Sequence, residues 1–544
     1  MALNVVVFRL TYSYYRDAPQ LFYLRQILGR GLCVSRGTAN VINLNLGMLL
    51  LPVCHSLTTF LRRPKWKVSM WTFRHLIDHC KGFHVLCAWT VTLASGVHLF
   101  SHVFNAYNYS LNFNWRYPDV NAATRPNENP LLIVIFSVPG ITGLLLLVVL
   151  SLMVSSAIST IRYSDYDLFW YNHRLFVVFY LLVLVHAFRG ILREQTNLPT
   201  HTPGCPYTNR STRRVDSEAT PEQLQQTSYG SDGGRCDEEP RFDSLGCSSW
   251  MWISGPLLLY ICDAAYRSVT RQSDDACVVG VTQHPGDVIE VQLRKRGFNC
   301  TPGQFVLVLC PTISSLEWHP YTVTRCPDSS SSGFFLHIKT VGDWSGKHSA
   351  PNNRVSDTRL PTRLVGRCLS ARLYVDGPYG SPLEYVLRYR VSVCVAGGIG
   401  ITPFIAHLHQ LRHKKRPARL ERIYLLWLCR DSASFLPFAD LICDTHKQFW
   451  KGNHPDTFDV QLFLTSQQES SEEMSLSTQH GLLCKRVNFG RPNWDVTLSN
   501  VAASHPGTNI GIFCCGPKSL SDSVGDWSRR HSSSNRFHFY HESF

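Results

Sequence analysis

Long apolar runs dominate the first half of the 544-residue chain and are rare in the second half. Five segments are apolar over the roughly 20 residues that a helix needs to cross a bilayer. They are residues 38–60, 83–105, 131–155, 168–188 and 249–267, the last weakened by Asp263. Residues 3–8 resemble the end of a further span. The pattern predicts a multi-pass, α-helical transmembrane domain over residues 1–268.

After about residue 270 the pattern changes to short strands. The stretches VIEVQLRKRG, GQFVLVLCP, FFLHIKTVG and ARLYVDGPYG predict a small antiparallel β-barrel over residues 272–385. From residue 390, the strands VSVCVAGG and RIYLLWLCR enclose the helical pattern FIAHLHQLRH. This alternation predicts an α/β domain over residues 390–544. The whole chain is therefore predicted to be multi-domain.

The basic residues indicate how the chain lies in the membrane. The formal net charge is +14. Nucleic-acid binding would require a clustered basic face with aromatic or motif support, and the sequence shows no such cluster. The 61–82 loop carries six Lys or Arg residues and the 106–130 loop only two. Because Lys and Arg concentrate in cytoplasmic loops, we expect the first loop and the C-terminal domains to be cytosolic.

Alternation of the spans then places the 106–130 loop and the long 189–248 loop outside. Asn108 and Asn209 each begin a possible glycosylation sequon on that side. Cys205, Cys236 and Cys247 lie in or beside the long external loop, and two of them are expected to form one disulfide in an oxidising compartment.

Two predicted spans carry histidines at two depths. His84 and His98 lie 14 residues apart, which is nearly four helical turns and about 21 Å, on one face. His173 and His186 lie 13 residues apart, which on an ideal helix leaves them about 140° apart. That spacing predicts a locally overwound or strongly tilted helix.

The predicted topology pairs these histidines by depth. His84 and His173 begin their helices on the cytoplasmic side, and His98 and His186 lie towards the outside. Each pair indicates a bis-imidazole site for haem iron in apolar surroundings. The alternative is that the histidines pack helices together through backbone carbonyls. Zinc is less favoured, because no carboxylate or cysteine cluster completes a tetrahedral site.

The soluble half contains a candidate nucleotide site. GGIGITP, residues 397–403, follows a predicted strand and precedes a predicted helix. Glycines there let backbone N–H groups approach a pyrophosphate at a helix N-terminus, although an ordinary tight turn is the alternative. Arg430 and Arg491 are candidates to pair with a ribose 2′-phosphate, which would select NADPH over NADH.

Together with the histidine pairs, further motifs resemble one family over nearly the whole chain. They are HPYT (319–322), HIK (337–339), GDWS (342–345), DGPYG (376–380), GGIGITPF (397–404), LCRD (428–431), FGRPNW (489–494), CGP (515–517) and a terminal Phe544. The chain resembles the catalytic subunits of the superoxide-generating NADPH oxidase family, especially the phagocyte-type branch. Such a subunit combines a ferric-reductase-like haem bundle with a ferredoxin-reductase-like module.

The resemblance implies roles for individual residues. The flavin of FAD would contact His319, Pro320, Tyr321 and Thr322. The rest of FAD would contact His337, Ile338, Lys339, Trp344 and Ser345, with Lys339 meeting its phosphates. NADPH would contact Gly398, Gly400, Thr402 and Pro403, with Cys515 and Gly516 near the nicotinamide. Phe544 would stack on the flavin, and Arg36 and His102 would flank the outer haem where oxygen arrives.

The resemblance also implies the activity and its setting. Electrons would pass from cytosolic NADPH through FAD and two b-type haems to external molecular oxygen, which yields superoxide. The chain would lie in the plasma membrane or an endomembrane. Family members of this branch work with a small transmembrane partner subunit, cytosolic organiser and activator proteins, and a Rac-type GTPase.

Two rival functions stay open at this point. A metalloreductase would pass the same electrons to ferric or cupric chelates, although FGRPNW and the terminal aromatic residue argue against it. A catalytically impaired membrane subunit, or decoy, is the other. Lys339 stands where arginine is usual in the family. Residues 346–370, which follow the GDWS motif, also lack the helical periodicity that family members usually show there.

Overall fold

The computed structural model describes two compact units of the chain. One comprises Met1–Cys54 and His79–Ile261, and the other His55–Asp78 and Cys262–Phe544. The described residues are 1–62, 80–186, 191–205, 236, 238–246, 248–272, 276–311, 317–328, 333–340, 373–413, 416–466, 480–531 and 537–542. The limits of the three domains given above stay a prediction.

The first unit is built mainly from helices with apolar outer surfaces. Its helices are Ala2–Asp17, Phe22–Leu28, Arg30–Leu50, Cys80–Leu111, Pro130–Ile135, Val138–Ala157, Ser159–Ser164, Tyr166–His173, Phe176–His186 and the first part of Ser249–Gln272. Leu93, Phe100 and Val148 are 69%, 76% and 59% exposed. Contiguous apolar surface on helices whose backbone bonds are internally satisfied is suited to lipid.

Three helices in the described part of the chain are long and apolar enough to cross a membrane. They are Cys80–Leu111, Val138–Ala157 and the broken segment Asp167–His186, and a fourth span is possible if Arg30–Val53 and His55–Leu61 act as one bent span. The predicted fifth segment, 249–267, lies within the helix Ser249–Gln272 but is not among these spans.

The predicted 131–155 span is two helices rather than one. Pro130–Ile135 ends before Ser137, whose hydroxyl accepts a hydrogen bond from the Gly140 N–H at 3.0 Å and so caps Val138–Ala157. Pro139 occupies the first turn of that second helix. A serine followed closely by proline is typical of a helix start. The break between the two helices could therefore be predicted from Ser137 and Pro139.

The helix that carries the 13-residue histidine spacing is tightened in its first half. The Leu175 N–H donates to the Asn172 carbonyl at 3.1 Å, and the Val177 N–H donates to the Arg174 carbonyl at 3.3 Å. Both bonds span three residues instead of four, which is the tighter 3₁₀ pattern. The predicted overwinding is therefore confirmed, at the junction between Tyr166–His173 and Phe176–His186.

The segment after these spans is closed by a disulfide. Cys205 and Cys236 are bonded with their Cα atoms 6.0 Å apart, which confirms one of the pairings that the sequence left open. Strands β1 (Arg193–Gln195) and β2 (Phe242–Ser244) pair antiparallel beside it. Cys247 lies outside the described residues.

The possible glycosylation sequon at Asn108 lies within a helix, and its use stays a prediction. Asn108 lies inside the helix Cys80–Leu111, and its amide nitrogen donates to the Leu28 carbonyl at 3.0 Å. Ser110 of the same sequon is only 5% exposed. Asn209 lies outside the described residues, so that sequon stays a prediction.

The second unit begins with the helix His55–Arg62 and contains a six-stranded antiparallel sheet. Its strands are β3 (Cys277–His284), β4 (Val288–Arg294), β5 (Phe305–Leu309), β6 (His319–Arg325), β7 (Phe334–Lys339) and β8 (Tyr374–Tyr379). They lie in the order β3-β4-β7-β6-β5-β8. Alternate side chains of β4 and β7, such as Val291 and Leu336, fill the barrel core. Four of these strands were predicted, whereas β3 and β6 were not.

The C-terminal part of this unit is an α/β sheet of six parallel strands. They are β9 (Val391–Gly397), β10 (Arg422–Cys429), β11 (Phe458–Leu464), β12 (Val487–Phe489), β13 (Ile510–Cys515) and β14 (Phe537–Glu542), in the order β12-β11-β10-β9-β13-β14. The helices between them are Thr402–His413, Leu436–Lys451, Gly481–Cys484, Trp494–Ser504 and Lys518–His531.

The strand β9 lies where the strand order of this sheet reverses. Six of its seven residues are buried, as expected for a parallel strand with helices on both faces. The chain proceeds from β9 to β10 on one side and later returns to β13 on the other. Ligands of open α/β sheets bind at this kind of switch point, outside the carboxyl ends of the strands.

Candidate functional site

The four membrane histidines face each other in the two predicted pairs. The ring centres of His84 and His173 are 6.1 Å apart, and those of His98 and His186 are 6.4 Å apart. Two metal–nitrogen bonds of about 2 Å each, with the half-width of each imidazole, place ring centres about 6 Å apart. Each pair therefore has the separation that one iron with two axial imidazoles requires.

The outer nitrogens of three rings are held by the protein. Nδ1 of His84 lies 3.1 Å from the Leu49 carbonyl, and Nδ1 of His98 lies 3.0 Å from the Ser35 carbonyl. A carbonyl only accepts, so each Nδ1 donates, and the lone pair of each neutral ring is left on Nε2. This is the arrangement of metal-ligating histidines, whose second nitrogen donates to a fixed acceptor.

His186 contacts a hydroxyl. The Thr142 hydroxyl lies 2.6 Å from the Val138 carbonyl, to which it donates, and 2.9 Å from His186 Nδ1, from which it then accepts. His173 differs, since its Nδ1 is buried with no partner among the described residues. The residues present thus fit haem at both levels, with His173 the least supported of the four ligands.

Arg36 and His102 lie beside the pair formed by His98 and His186. The rings of His102 and His98 are 4.5 Å apart, edge to face. Arg36 directly follows Ser35, whose carbonyl accepts from His98, and its Nε donates to the Tyr15 hydroxyl at 3.1 Å. A fixed cation and a second imidazole therefore stand next to one imidazole pair.

A cavity of about 820 Å³ opens at the carboxyl ends of the parallel strands. The predicted residues that line it come from the barrel and from the α/β sheet: Pro320, Tyr321, Thr322, His337, Lys339, Gly398, Gly400, Thr402, Arg430, Arg491, Cys515 and Gly516. One cavity thus collects most of the residues that the sequence assigned separately to FAD and to NADPH.

Three predicted residues do not line this cavity. Ile338 is 5% exposed and packs in the barrel core, because side chains alternate along β7 and its neighbours His337 and Lys339 point the other way. Pro403 is buried in the first turn of the helix Thr402–His413. His319 lies 3.5 Å from the Glu317 carboxylate.

Three further predicted residues, Trp344, Ser345 and Phe544, lie outside the described residues, as does the segment 346–370.

The glycine-rich turn leaves room for a bound nucleotide. Gly398 has φ of +54°, and a Cβ placed on it would meet no protein atom within 4 Å. A Cβ on Gly400 would lie 2.2 Å from the Cys515 carbonyl oxygen, so that glycine is needed for the fold itself. The buried Trp427 indole donates to the Gly398 carbonyl at 2.9 Å and holds the turn in place. Lys339, Arg430 and Arg491 supply cations suited to phosphates, so the cavity fits dinucleotides.

The Cys515 thiol cannot act as a nucleophile here. Burial, followed by the nearby Glu542 carboxylate, raises the pKa of this thiol well above its usual value. It is therefore protonated at neutral pH, and the thiolate is the reactive form. Cys515 contributes a small neutral wall rather than covalent chemistry.

The quoted motifs also contain cavity residues to which the sequence gave no separate role: Gly397, Ile399, Leu428, Cys429, Asp431, Pro492, Trp494 and Pro517. Five further cavity residues were missed by the sequence analysis: Ser434, Thr465, Ser519, Leu520 and Ser523. Thr465 could have been found, because it directly follows the parallel strand β11, as Arg430 follows β10. Ser519 and Ser523 lie on a helix that carried no such signal.

Comparison with known proteins covers both halves of the chain. The family models match as follows: "Ferric reductase like transmembrane component" at residues 36–184, "FAD-binding domain" at 275–383 and "Ferric reductase NAD binding domain" at 389–528. Human NADPH oxidase 4 is 39% identical over 562 residues, which cover 100% of this chain and 96% of that protein. The chain belongs to the NADPH oxidase family. Rat NADPH oxidase 1 is 31% identical and covers 100% of this chain and 97% of that protein.

Membership settles the coarse features of this oxidase. It is an integral membrane protein, and its cofactors are FAD, NADPH and haem. The predicted fold class is confirmed as a ferric-reductase-like membrane region followed by FAD- and NAD-binding domains. Among solved structures, the Amycolatopsis cytochrome P450 reductase GcoB is 18% identical, with a TM-score of 0.34 over 50% of this chain and 70% of that one.

Replacement of Gly398 by alanine is expected to weaken NADPH binding more than folding. An alanine in the left-handed backbone conformation of Gly398 destabilises the fold by about 1 kcal/mol. Its methyl group would also occupy the space left for the nucleotide. We expect the KM for NADPH to rise about tenfold, the effect of losing about 1.4 kcal/mol of binding. Gly507→Ala is the matched control, since Gly507 has φ of +72° and equally open surroundings away from the cavity. An equal rise of KM in both variants would contradict this role.

Replacement of Thr142 by valine is expected to alter the haem that His186 holds. Without the Thr142 hydroxyl, His186 Nδ1 loses this hydrogen-bond acceptor and Nε2 becomes a poorer donor to ferric iron. We expect weaker haem retention, by about tenfold or more, and a more positive midpoint potential for one of two haems. Redox titration of the haem absorption bands measures both. Thr92→Val, which removes only a hydroxyl bonded to the Ala88 carbonyl of its own helix, should leave them unchanged.

Proposed function

We propose that this chain moves electrons across the membrane from cytosolic NADPH, through FAD and two bis-histidine haems, to external molecular oxygen, which leaves as superoxide. The observation that carries the proposal is the pair of opposed imidazoles at each of two depths. Ring separations of 6.1 and 6.4 Å suit one iron each, and the two pairs lie along the same spans.

The nucleotide half of the cavity would hold NADPH. Backbone N–H groups near Gly398 and Gly400 would face the pyrophosphate, at the N-terminus of the helix that begins with Thr402. Arg430 and Arg491, which follow β10 and β12, would pair with the 2′-phosphate. Pro403 would act indirectly, by fixing the start of that helix.

The barrel half of the cavity would hold FAD. Pro320, Tyr321 and Thr322 of β6 form one wall. The Lys339 ammonium would meet the phosphates as a point charge, without the bidentate contact that an arginine makes. Ile338 could offer only its backbone, since its side chain is in the core.

The three residues not described stay in the proposal for the flavin site. Trp344 and Ser345 follow the motif that carries Lys339. Phe544 would cover the flavin until nicotinamide displaces it. The position of Glu542, two residues earlier, supports this, because Glu542 is the register partner of the cavity residue Cys515.

When bound, FAD takes up a hydride from NADPH and releases single electrons, which the haem irons carry across the membrane. The protein itself holds and orients these groups. His84 and His173 would ligate the haem nearer the cytosol, and His98 and His186 the haem nearer the outside. The carbonyls of Leu49 and Ser35 keep two of these imidazoles in the tautomer that leaves Nε2 free to ligate.

Arg36 and His102 would receive oxygen at the outer pair. If His98 and His186 both ligate the outer haem, groups of the protein beside that pair would hold the oxygen. The Arg36 guanidinium offers a fixed positive charge for an anion that forms there, and His102 could orient oxygen or donate a proton. Both residues lie beside the His98 ring or its hydrogen-bond acceptor.

The setting of the oxidase is proposed from charge and chemistry. The disulfide between Cys205 and Cys236 needs an oxidising compartment, which supports an external position for that segment. The C-terminal domains would then be cytosolic, in the plasma membrane or an endomembrane. A small transmembrane partner, cytosolic organiser and activator proteins and a Rac-type GTPase are proposed partners, from family resemblance alone.

The proposal is tested on the purified chain in lipid vesicles supplied with FAD and NADPH. We expect cytochrome c reduction that superoxide dismutase suppresses, and a dithionite difference spectrum that corresponds to two haems per chain. Reduction that is insensitive to dismutase and faster with ferric or cupric chelates would identify the metalloreductase instead. Two haems without bound flavin would identify the impaired subunit.

Replacement of Arg36 by alanine tests the oxygen site. We expect superoxide output to fall by about tenfold or more, because the charge that stabilises the anion is lost, while flavin reduction by NADPH is unchanged. Arg16→Ala is the control, since Arg16 is exposed and pairs with Asp17. Unchanged superoxide output and unchanged haem spectra in Arg36→Ala would end this assignment.

A further inference from the structure

Three side chains of the barrel converge on one point, and two of them, His284 and Glu290, have no role in the proposed electron transfer. The three are His284 at the end of β3, Glu290 on β4 and His337 on β7. One ligand atom from each lies within 4.8 Å of the other two. Glu290 and His337 are register partners on neighbouring strands, and the rings of His284 and His337 are stacked at 5.7 Å.

The hydrogen-bond pattern decides where the proton of His337 lies. The Thr324 hydroxyl donates to the Phe335 carbonyl at 2.9 Å, so its only proton is used. Its 2.9 Å contact with His337 Nδ1 is therefore one in which Nδ1 donates. The neutral ring then carries a lone pair on Nε2, which lies 3.1 Å from Glu290 Oε2. A carboxylate oxygen also only accepts, so this contact needs a cation between the two atoms.

One proton shared by Glu290 and His337 does not satisfy the nearby ring nitrogen of His284. Its Nε2 lies 3.6 Å from the same carboxylate oxygen, which is too far for a hydrogen bond. This nitrogen atom is buried and has no hydrogen-bond partner in the part of the chain that the structure describes, so the Glu290 carboxylate is its nearest ionic group. A proton between Glu290 and His337 would leave this nitrogen unsatisfied, whereas a metal ion could satisfy all three atoms at once.

We propose that His284, Glu290 and His337 bind one divalent transition-metal ion of the zinc class. Two imidazole nitrogens and one carboxylate oxygen are typical of such ions, whereas magnesium and calcium prefer oxygen ligands. Neighbouring ligand atoms in a tetrahedral zinc site lie about 3.3 Å apart, close to the 3.1 and 3.6 Å distances to Glu290. Thr324 supplies the outer partner that fixes the His337 ring.

Two of the three ligand side chains are partly exposed to solvent, which supplies the ion and a water as fourth ligand. The side chains of His284 and Glu290 are 24% and 27% exposed, whereas that of His337 is 6% exposed. The ion would join the edge strand β3 to β7 across β4. His337 also lines the dinucleotide cavity and packs against Phe438, at a ring separation of 4.6 Å. The metal would thus fix one wall of that cavity without lying on the electron path.

The proposal is tested on the purified full-length chain, stripped of loosely bound metal and dialysed against Zn²⁺. Elemental analysis by mass spectrometry gives zinc per chain, and haem iron does not interfere. We expect about one zinc more per chain in the unaltered protein than in Glu290→Gln or His284→Ala. Loss of a ligand should weaken zinc binding by more than the roughly 10- to 100-fold that loss of an outer partner costs.

Controls separate a lost ligand from a damaged fold. His454→Ala removes an exposed histidine elsewhere and should bind as much zinc as the unaltered protein. Haem content and elution volume should be equal in all four proteins, because Glu290→Gln keeps the side-chain shape and His284 lies on an edge strand. X-ray absorption at the zinc edge should show two imidazole nitrogens.

Either of two results would overturn the metal site. The first is equal zinc content in the unaltered protein and both ligand variants. The second is an absorption spectrum without imidazole ligands. Both would leave His337 and Glu290 joined by a proton alone.

Discussion

Three of the four paired imidazoles inside the membrane have a hydrogen-bond partner for the outer ring nitrogen, and the need for these partners organises the helical unit. Lipid offers no hydrogen bonds, so the outer nitrogens of His84 and His98 donate to the carbonyls of Leu49 and Ser35. Both carbonyls belong to the helix Arg30–Leu50, which packs along Cys80–Leu111. The inner nitrogens then face the opposite span at the separation of one iron. The helix Arg30–Leu50, which carries no predicted haem ligand, therefore orients two of the four ligands.

The same requirement explains the local distortion in the opposite span. Thirteen residues on an ideal helix would leave His173 and His186 on different faces, so only one could reach its partner. The three-residue hydrogen bonds at Leu175 and Val177 rotate the first histidine relative to the second. A small loss of helical regularity thus permits two iron sites along one pair of spans.

In the soluble unit, the ends of the strands form the dinucleotide cavity. Parallel strands bring their carboxyl ends to one edge, where Gly398, Arg430 and Arg491 meet the barrel residues of β6 and β7. The alternation along β7 sends His337 and Lys339 towards the cavity and Ile338 into the core. The cluster of His284, Glu290 and His337 follows the logic of the membrane sites, because lone pairs that face each other in partly dry surroundings require a cation.

Periodicity and spacing were enough to predict most spans, four barrel strands and the glycine-rich turn, since these depend on neighbours along the chain. The histidine pairs could be predicted as well, because the membrane topology places His84 with His173 and His98 with His186 at matching depths. The tightened turn was also predictable, because 13 residues do not fit an ideal helix. What only the tertiary structure decided involves residues far apart in sequence. Cys205 bonds Cys236, Ser35 and Leu49 orient imidazoles, and His284 meets His337. Such contacts depend on strand register and helix packing, which the pattern of a single chain leaves open.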